Sequence, residues 1–311
     1  MNSVPRTFSK VRGMWGVFAG RGVKPVSLGL ILEKQARKSP NKPLILFEDR
    51  IITYRQFNEE ANRYADLFIS RGFKKGDTVA LVMNNRPEYL IVHAGLAKIG
   101  VIPALINNNL KAHVLAHAIN ISAARAVILG HEMLDSYQEA TTEIELQQPK
   151  TIFIEKETRD LTTPEGMEDL APLLRKASPQ DPVQTATINS ADTLEYIYTS
   201  GTTGLPKATM VHHGRWIQLA YALGGNSLNM ISDDIMYCCL PLYHNSGINI
   251  AWATTLFHGA TIVIRRKFST SNFWTDVRRY RANMFIYIGE LCRYLNNQPV
   301  QPDDGDNPLQ Y

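Results

Sequence analysis

The feature that decides the fold is a change of character within the stretch Tyr196-Ile197-Tyr198-Thr199-Ser200-Gly201-Thr202-Thr203-Gly204-Leu205-Pro206-Lys207. From Leu194 to Tyr198 the chain is largely apolar, and tyrosines alternate with a β-branched residue, which predicts the end of a buried strand. Glycines and hydroxyl side chains then follow at a density that favours turns and exposed backbone. The stretch therefore predicts a strand, a donor-rich loop and a lysine, in that order.

Such a loop presents many N–H and O–H donors to one small volume, and Lys207 adds a positive charge. Its natural ligand is a polyanion such as the phosphates of a nucleotide. A solvated turn without a ligand has the same composition, so composition alone leaves both interpretations open. The spacing of Gly201, Gly204 and Lys207 differs from a Walker loop, which needs G-x-x-x-x-G-K followed by Ser or Thr.

Strands and helices alternate regularly before this loop. Helices are predicted from Leu28 to about Ser39, from a Thr53 cap to Arg71, from a capped start within Asn84 to Glu88 as far as Gly100, and over 111–122. Strands are predicted over 77–83, 101–106 and 124–129, with a β-hairpin around Glu48-Asp49. This order predicts an α/β fold of mostly parallel sheets flanked by helices. Ligands of such sheets bind at the carboxyl ends of strands.

The remainder is less regular. Residues 131–191 are interpreted as a surface excursion with one strand, Thr151 to Glu155, and a proline-bearing linker at 178–182. Beyond Lys207 we predict strands over 233–240, 261–264 and 283–287, an apolar helix from Ile248 to His258, and further helices over 268–281 and from Leu291. The pair His212-His213 is interpreted as a capping or surface feature and not as a metal site.

Composition bounds the class of protein. The 311 residues are 44% hydrophobic and 20% charged, as in an ordinary globular protein. A net charge of +4 is too small to indicate a nucleic-acid partner. Three cysteines, Cys238, Cys239 and Cys292, lack metal-ligand spacing and are expected to be buried thiols in a reducing compartment.

The amino-terminal residues 1–26 form a basic arm. The first 32 residues hold five basic side chains and no acidic one. Such an arm suits an anionic membrane surface, and a loosely ordered lead-in is the alternative. No signal peptide and no apolar run of roughly 20 residues is recognised. We therefore expect a cytoplasmic protein, or one peripheral at the cytoplasmic face of a membrane.

As an ordered string, Tyr198 to Lys207 resembles the signature loop of the adenylate-forming (AMP-binding) superfamily. Three further segments agree: Leu240 to Gly247, Arg265 to Ser269 with Phe273-Trp274, and Tyr287 to Leu295. The last two resemble the very-long-chain acyl-CoA synthetase and fatty acid transport protein group more closely than other branches. The resemblance covers nearly the whole chain.

The resemblance implies an acid–thiol ligase, an AMP-forming acyl-CoA synthetase. Its substrates would be a long- or very-long-chain fatty acid, ATP with Mg²⁺, and coenzyme A. A fatty carboxylate would attack the α-phosphate of ATP to form an acyl-adenylate and pyrophosphate, and the coenzyme A thiol would then displace AMP. Charge develops on the phosphates, which is why such a protein directs donors and cations at them.

The resemblance also implies residue roles. The phosphates would be wrapped by Thr199, Ser200, Gly201, Thr202, Thr203 and Gly204. Lys207 and His244 would be catalytic, with His244 at the junction of the nucleotide and acyl sites; a satisfied strand-end histidine is its alternative. Gly289 would line the acyl channel. No metal-binding residue and no nucleic-acid partner are expected.

The chain departs from the family pattern toward its carboxyl end. The family's aromatic-Gly-Thr-Glu motif, its ribose-binding aspartate and its small mobile domain with an adenylation lysine are not found. We therefore expect a large N-terminal domain of the adenylate-forming fold, truncated before the mobile domain, with 27–311 as a partial AMP-binding domain that is inactive or nearly so alone. Two alternatives stay open: a ligase for an aryl, short-chain or carnitine-like acid, and a fatty acid uptake or binding protein with weak or absent ligase activity.

Overall fold

A computed structural model describes residues 23–146, 151–158, 160–200 and 204–310. Residues 1–22 of the predicted basic arm lie outside the described residues. The helices are α1 (Leu28–Lys38), α2 (Tyr54–Ser70), α3 (Pro87–Lys98), α4 (Ala112–Asn120), α5 (Leu134–Ala140), α6 (Leu170–Lys176), α7 (His213–Leu219), α8 (Ala253–His258), α9 (Thr270–Tyr280) and α10 (Gly289–Asn296). The strands are β1 (Pro43–Phe47), β2 (Arg50–Thr53), β3 (Thr78–Val82), β4 (Ile102–Leu105), β5 (Ala126–Gly130), β6 (Thr151–Glu155), β7 (Glu168–Asp169), β8 (Thr193–Ser200), β9 (Pro206–His212), β10 (Ile235–Cys238), β11 (Thr261–Ile264) and β12 (Met284–Phe285).

Local capping explains where the first helices begin. The Ser27 hydroxyl accepts a hydrogen bond from the Leu30 amide at the start of α1. Thr53 and Gln56 form a capping box at the start of α2, in which each side chain accepts from the other residue's backbone N–H. Both predicted helix starts are confirmed.

A seven-stranded sheet forms one half of the architecture, in the order β7-β6-β5-β3-β4-β8-β9. Its strands are parallel except for β9, which returns antiparallel to β8. Alternate strand residues point to opposite faces, and both faces are covered, as parallel sheets require. One face packs on α4 and α5, and the other joins a larger core with α2 and α3.

A five-stranded sheet forms the other half, in the order β12-β10-β11-β1-β2. The predicted hairpin supplies β1 and β2, and β1 pairs parallel with β11, so that Ile45 lies opposite Ile262. Buried residues of this sheet belong to the same core as one face of the seven-stranded sheet. The two sheets are therefore joined through a shared hydrophobic core.

A buried ion cluster joins the helices at the far end of α3. Lys98 is fully buried, and its Nζ lies 2.8 Å from Asn58 Oδ1, 3.0 Å from Asp181 Oδ1 and 3.1 Å from Glu33 Oε1. Asn58 lies on α2, Glu33 on α1 and Asp181 in the predicted 178–182 linker. One lysine thus ties three helices and the linker together.

Several expectations require correction. Residues 131–191 contain α5, β7 and α6 in addition to the predicted β6, because their apolar side chains pack under the sheet edge. The predicted helix from Ile248 starts as a π-helical segment, Ser246–Trp252, before α8. A second π-helical segment, Ala220–Ser227, continues α7.

Two other corrections concern single side chains. His213 is fully buried, and its Nδ1 accepts a hydrogen bond from the Leu28 amide at 3.1 Å, while only His212 is exposed. Burial lowers the pKa of His213 to about 3, with the nearby His93 acting in the same direction, so its ring is neutral. Cys238 and Cys239 are buried as expected, but Cys292 is exposed on α10.

Candidate active site

The donor-rich loop connects β8 and β9, which pair as an antiparallel hairpin. Thr199 and Lys207 are directly opposite in the hairpin register and both are exposed, so the structure brings these two predicted residues together on one face. Gly204 has a φ of +85°, a left-handed conformation that glycine adopts without strain. The Ser200 backbone pairs with Pro206. Gly201, Thr202 and Thr203 lie outside the described residues.

Side chains along β8 alternate between the two faces of the sheet, and this alternation indicates the face from which Thr199 and Lys207 project. Ile197 belongs to the core shared by both sheets, whereas Tyr196 and Tyr198 pack on the α4 side. Because residues two apart share a face, Thr199 and its partner Lys207 leave the sheet on the side of the shared core. That is the side on which the five-stranded sheet lies.

A buried pair anchors β8 below the loop. Glu195 on β8 and His93 on α3 are both fully buried, and Glu195 Oε2 lies 2.6 Å from His93 Nε2. A carboxylate removed from water requires such a partner. The loop therefore rises from a strand that is fixed to α3.

A cavity of about 560 Å³ opens where the carboxyl ends of both sheets meet. Its polar lining consists of four asparagines that follow β3 and β4, Asn84, Asn85, Asn108 and Asn109, with Arg266 and Lys267 after β11. Its other lining residues are Cys239, Leu240, Pro241, Tyr243, Phe268, Ile288 and Leu291. Because β4 is the neighbour of β8, the hairpin loop leaves the same sheet edge as Asn108 and Asn109.

The asparagines hold the rim of this cavity together. Asn85 Nδ2 donates to the carbonyl oxygens of Leu240, at 2.9 Å, and Arg265, at 3.1 Å. Asn108 Nδ2 donates to Asn84 Oδ1 at 2.7 Å. The helix start predicted within Asn84 to Glu88 is confirmed, with Arg86 at the N-cap position, although no side-chain cap bond forms there.

Tyr243 joins the rim from the turn after β10. Asn109 Nδ2 donates to the Tyr243 hydroxyl at 3.1 Å. Burial raises the pKa of Tyr243, although this hydrogen bond acts in the opposite direction. Its hydroxyl therefore keeps its proton at neutral pH.

His244 follows Tyr243 and is exposed. Its amide donates to the Pro241 carbonyl at 3.2 Å, and its Nδ1 accepts from the Ser246 amide at 3.4 Å. The turn is tight, because a side chain at Gly247 would collide with the Pro241 carbonyl oxygen. His244 thus follows the cavity residue Tyr243 in the chain without itself lining the cavity, and its Nε2 makes no protein hydrogen bond among the described residues.

Gly289 is the first residue of α10 and is exposed. A Cβ built there would meet no heavy atom within 4 Å. Its neighbours Ile288 and Leu291 line the cavity. The structure thus places Gly289 at the rim, on the side of the five-stranded sheet.

Arg266 is held in place on the cavity wall by two carboxylates. Its Nε donates to Glu48 at 2.8 Å and its guanidinium donates to Glu157 at 2.6 Å. The Arg266 hydrogen bond lowers the pKa of Glu157, although partial burial opposes it. Arg266 also lies over the Phe47 ring, 5.0 Å from its centroid.

Sequence reasoning missed the asparagines and Arg266 as site residues. A signal was present, since asparagines follow two buried parallel strands directly, and the carboxyl ends of such strands are where ligands bind. Among the described residues, no group of three or more His, Cys, Asp or Glu side chains could hold a metal ion. None of the helices in the described part of the chain combines the length and apolarity that crossing a membrane requires.

A family model described as AMP-binding enzyme matches residues 32–308. Among curated relatives, the medium/long-chain-fatty-acid–CoA ligase FadD6 of Mycobacterium tuberculosis is 33% identical over 294 residues, covering 94% of this chain and 47% of the relative. Long-chain fatty acid transport protein 1 of Homo sapiens is 42% identical over 253 residues, covering 80% of this chain and 38% of the relative. The chain spans less than half the length of these two relatives.

Solved structures share the architecture. A benzoate CoA ligase from Burkholderia xenovorans LB400 matches with a TM-score of 0.79 at 17% identity, covering 92% of this chain and 55% of that one. The anthranilate CoA ligase AuaEII, solved in complex with anthranoyl-AMP, matches with a TM-score of 0.76 at 22% identity, covering 84% and 49%. These matches confirm the predicted fold class.

Proposed function

The chain belongs to the AMP-binding enzyme family, and we propose that it forms the ATP- and acid-binding part of a long- or very-long-chain fatty acid–CoA ligase. The family resemblance drawn from Tyr198 to Lys207 is thereby confirmed. The observation that carries the proposal is the cavity at the carboxyl ends of both sheets, at the same sheet edge from which the exposed Thr199–Lys207 pair projects. In α/β proteins this is where ligands bind.

The proposed reaction has two steps. A carboxylate oxygen of the fatty acid attacks the α-phosphorus of ATP, a bond to phosphorus forms, and the bond to pyrophosphate breaks. The thiol sulfur of coenzyme A then attacks the acyl carbon and loses its proton to solvent, and AMP leaves with the electrons of the broken C–O bond. Backbone and hydroxyl donors of residues 199–204, with the Lys207 ammonium, would stabilise the negative charge that moves onto the phosphates in the first step.

The cavity wall suits the acid. Leu240, Phe268, Ile288 and Leu291 present apolar surface for an alkyl chain. His244 would stand where the carboxylate meets the α-phosphate, and Gly289 would border the acyl channel, where the absence of a side chain leaves the rim open. Mg²⁺ would enter as the ATP complex, held by phosphate oxygens.

The protein's organisation and setting are part of the same proposal. Residues 27–311 would form part of one AMP-binding domain, with residues 1–26 as a basic arm that contacts a membrane surface. Free Cys238, Cys239 and Cys292 support a reducing compartment, and we place the protein in the cytoplasm or at the cytoplasmic face of a membrane.

The test is Mg-ATP binding to the 311-residue chain by isothermal titration calorimetry. Lys207→Met removes one charge-assisted contact, and we expect the affinity to fall about tenfold or more, since such bonds contribute roughly 1.5–3 kcal/mol. Lys34→Met is the matched control, because Lys34 is an exposed lysine on α1, and its affinity should equal that of the wild type. Equal affinities of Lys207→Met and wild type would overturn the assignment of the loop.

A turnover assay tests whether the chain suffices for catalysis. With ATP, oleate and coenzyme A, we expect little or no oleoyl-CoA, because the curated relatives are more than twice as long as the matched part. Robust product would contradict this expectation. A panel with benzoate, acetate and carnitine, scored by binding to the same chain, separates a fatty acid from another carboxylate.

Fatty acid uptake is a second candidate, favoured by the relatives named as long-chain fatty acid transport proteins, which are 34–42% identical to this chain. Lipid import by cells that express the chain, compared with the Lys207→Met, Thr202→Ala double variant, distinguishes the two. Import that persists in the double variant supports uptake without ligation. Import that disappears supports activation of the acid.

A further inference from the structure

Asn85 makes a set of hydrogen bonds that crosses from one sheet to the other. It follows β3 of the seven-stranded sheet and is 4% exposed. Its amide nitrogen donates to Leu240 O and Arg265 O, and its Oδ1 accepts from the Leu242 amide at 2.9 Å. All three partners lie directly after β10 and β11 of the five-stranded sheet.

This amide is fully used. An asparagine side chain offers two N–H donors and a carbonyl acceptor, and here each donor and the oxygen have a backbone partner. Buried polar networks that are satisfied in this way are rigid, since any movement leaves a group unpaired. The side chain therefore fixes the chain segment after β10 relative to the end of β3.

The segment that Asn85 holds is the turn that carries His244. Leu240 and Leu242 stand at its start, and the His244 amide closes it on the Pro241 carbonyl. Among the described residues, the His244 side chain takes part in one long hydrogen bond, which its Nδ1 accepts from the Ser246 amide in the same turn. Its location is thus determined by the turn, and the contact of the turn with the seven-stranded sheet includes the Asn85 amide.

We propose that Asn85 is a positioning residue, which holds the 240–244 turn so that His244 stands at the rim of the cavity between the two sheets. The catalytic consequence, the correct placement of His244 between nucleotide and acyl group, rests on the proposed function. The position of the turn itself does not depend on that function. The two parts can therefore be tested separately.

The first measurement is made on the 311-residue chain without ligand. In Asn85→Ala, hydrogen exchange of the Leu242 amide should accelerate at least about tenfold, because its acceptor is lost. Asn62→Ala is the matched control: Asn62 is equally buried and donates two hydrogen bonds, to Pro179 O at 2.8 Å and Asp181 Oδ1 at 3.0 Å, on a different face of the protein. Unchanged exchange at Leu242 in Asn85→Ala would overturn the proposal.

The second measurement compares two probes by calorimetry, AMP and a hydrolysis-resistant oleoyl sulfamate of adenosine. Only the sulfamate spans the junction, so Asn85→Ala should reduce its affinity about tenfold or more while AMP affinity changes about twofold or less. Asn85→Asp keeps the acceptor for Leu242 but places a carboxylate against two carbonyl oxygens. We expect the same result, a reduced affinity for the sulfamate and a nearly unchanged affinity for AMP. Asn62→Ala should leave the ratio of the two affinities at the wild-type value.

The outcomes are distinct. If wild type binds neither probe, the proposed function fails, and the exchange measurement alone decides whether Asn85 fixes the turn. If wild type binds both probes and Asn85→Ala keeps the wild-type ratio, the proposed function stands and the role of Asn85 in placing His244 is wrong. A loss of both affinities in equal measure also contradicts that role, because a general loss of structure produces it.

Discussion

Replacing Lys98 by methionine tests how the buried ion cluster stabilises the fold. Methionine has nearly the same length, so the packing of the stem is retained while the charge is lost. Glu33 and Asp181 then lose the cation that they share, and the Glu33 side chain is only 9% exposed. The free energy of unfolding should fall because a buried carboxylate without its partner is costly.

The size of this loss in the free energy of unfolding depends on the contacts that Glu33 and Asp181 keep. Removal of one partner from a buried pair typically costs about 3–5 kcal/mol. Asp181 is about one-third exposed and keeps its bonds from Asn58 and Asn62, and Arg37 lies 3.7 Å from Glu33. We therefore expect the lower end, about 3 kcal/mol. Urea unfolding followed by tryptophan fluorescence measures it, since Trp216 and Trp252 are fully buried.

Two controls sharpen the result. The double variant Lys98→Met, Glu33→Gln removes the stranded charge and should recover about half of the loss. Burial alone would raise the pKa of Asp181, but bonds from Asn58 and the Lys98 charge hold it below its ordinary value of 3.8. This contribution is present above pH 3.8 and disappears as the pH falls through the lower folded value, so Lys98→Met should lose less stability on acidification. A loss below about 1 kcal/mol at neutral pH, or no recovery in the double variant, would refute the reasoning.

Burial raises the pKa of Glu155 from 4.5 to about 7, so the folded state holds a proton that the unfolded state releases and stability falls as the pH rises from 4.5 through 7. Glu155→Gln should remove up to about 3 kcal/mol of this fall between pH 5 and 8, and an unchanged slope in urea titrations contradicts it. His93→Phe removes the hydrogen-bond partner of the buried Glu195 side chain and should cost about 3 kcal/mol in the same assay; a loss below about 1 kcal/mol would contradict this expectation. Gly247→Ala should destabilise by about 1–3 kcal/mol, because the turn after β10 has no room for a methyl group, whereas Gly289→Ala in open space should stay within about 0.5 kcal/mol. Thermal melts of the two glycine variants that coincide would contradict that contrast.

Local sequence patterns predict much of the fold. The Thr53 cap, the hairpin at Glu48-Asp49 and the strand–helix alternation through β5 all depend on neighbours within a few residues, and the structure confirms them. The strand β9 was not predicted, because most of its side chains are exposed and its pattern is mixed. It forms because the backbone of β8 offers hydrogen-bond partners along its edge, and a local sequence pattern does not show such partners.

The site was predictable in part. The loop was located from its composition, and the structure places Thr199 opposite Lys207 on one face, a pairing that depends on β9. The role of Asn85 depends on partners more than 150 positions away in the chain, and the burial of His213 depends on Leu28, 185 positions away. Such roles arise from the packing of distant segments and leave no periodic trace.

The pairing of β1 with β11 has a consequence for synthesis on the ribosome. Ile45 and Leu46 can pair with Ile262 and Val263 only after those residues have been synthesised. The strands of the seven-stranded sheet, in contrast, all lie between residues 78 and 212. At 5–20 residues per second, the ribosome needs about 10–40 s to add the roughly 200 residues between β1 and β11, and the apolar edge of the first hairpin lacks its partner strand during that time. During that interval the exposed apolar surface of the nascent hairpin is open to aggregation and to chaperone binding.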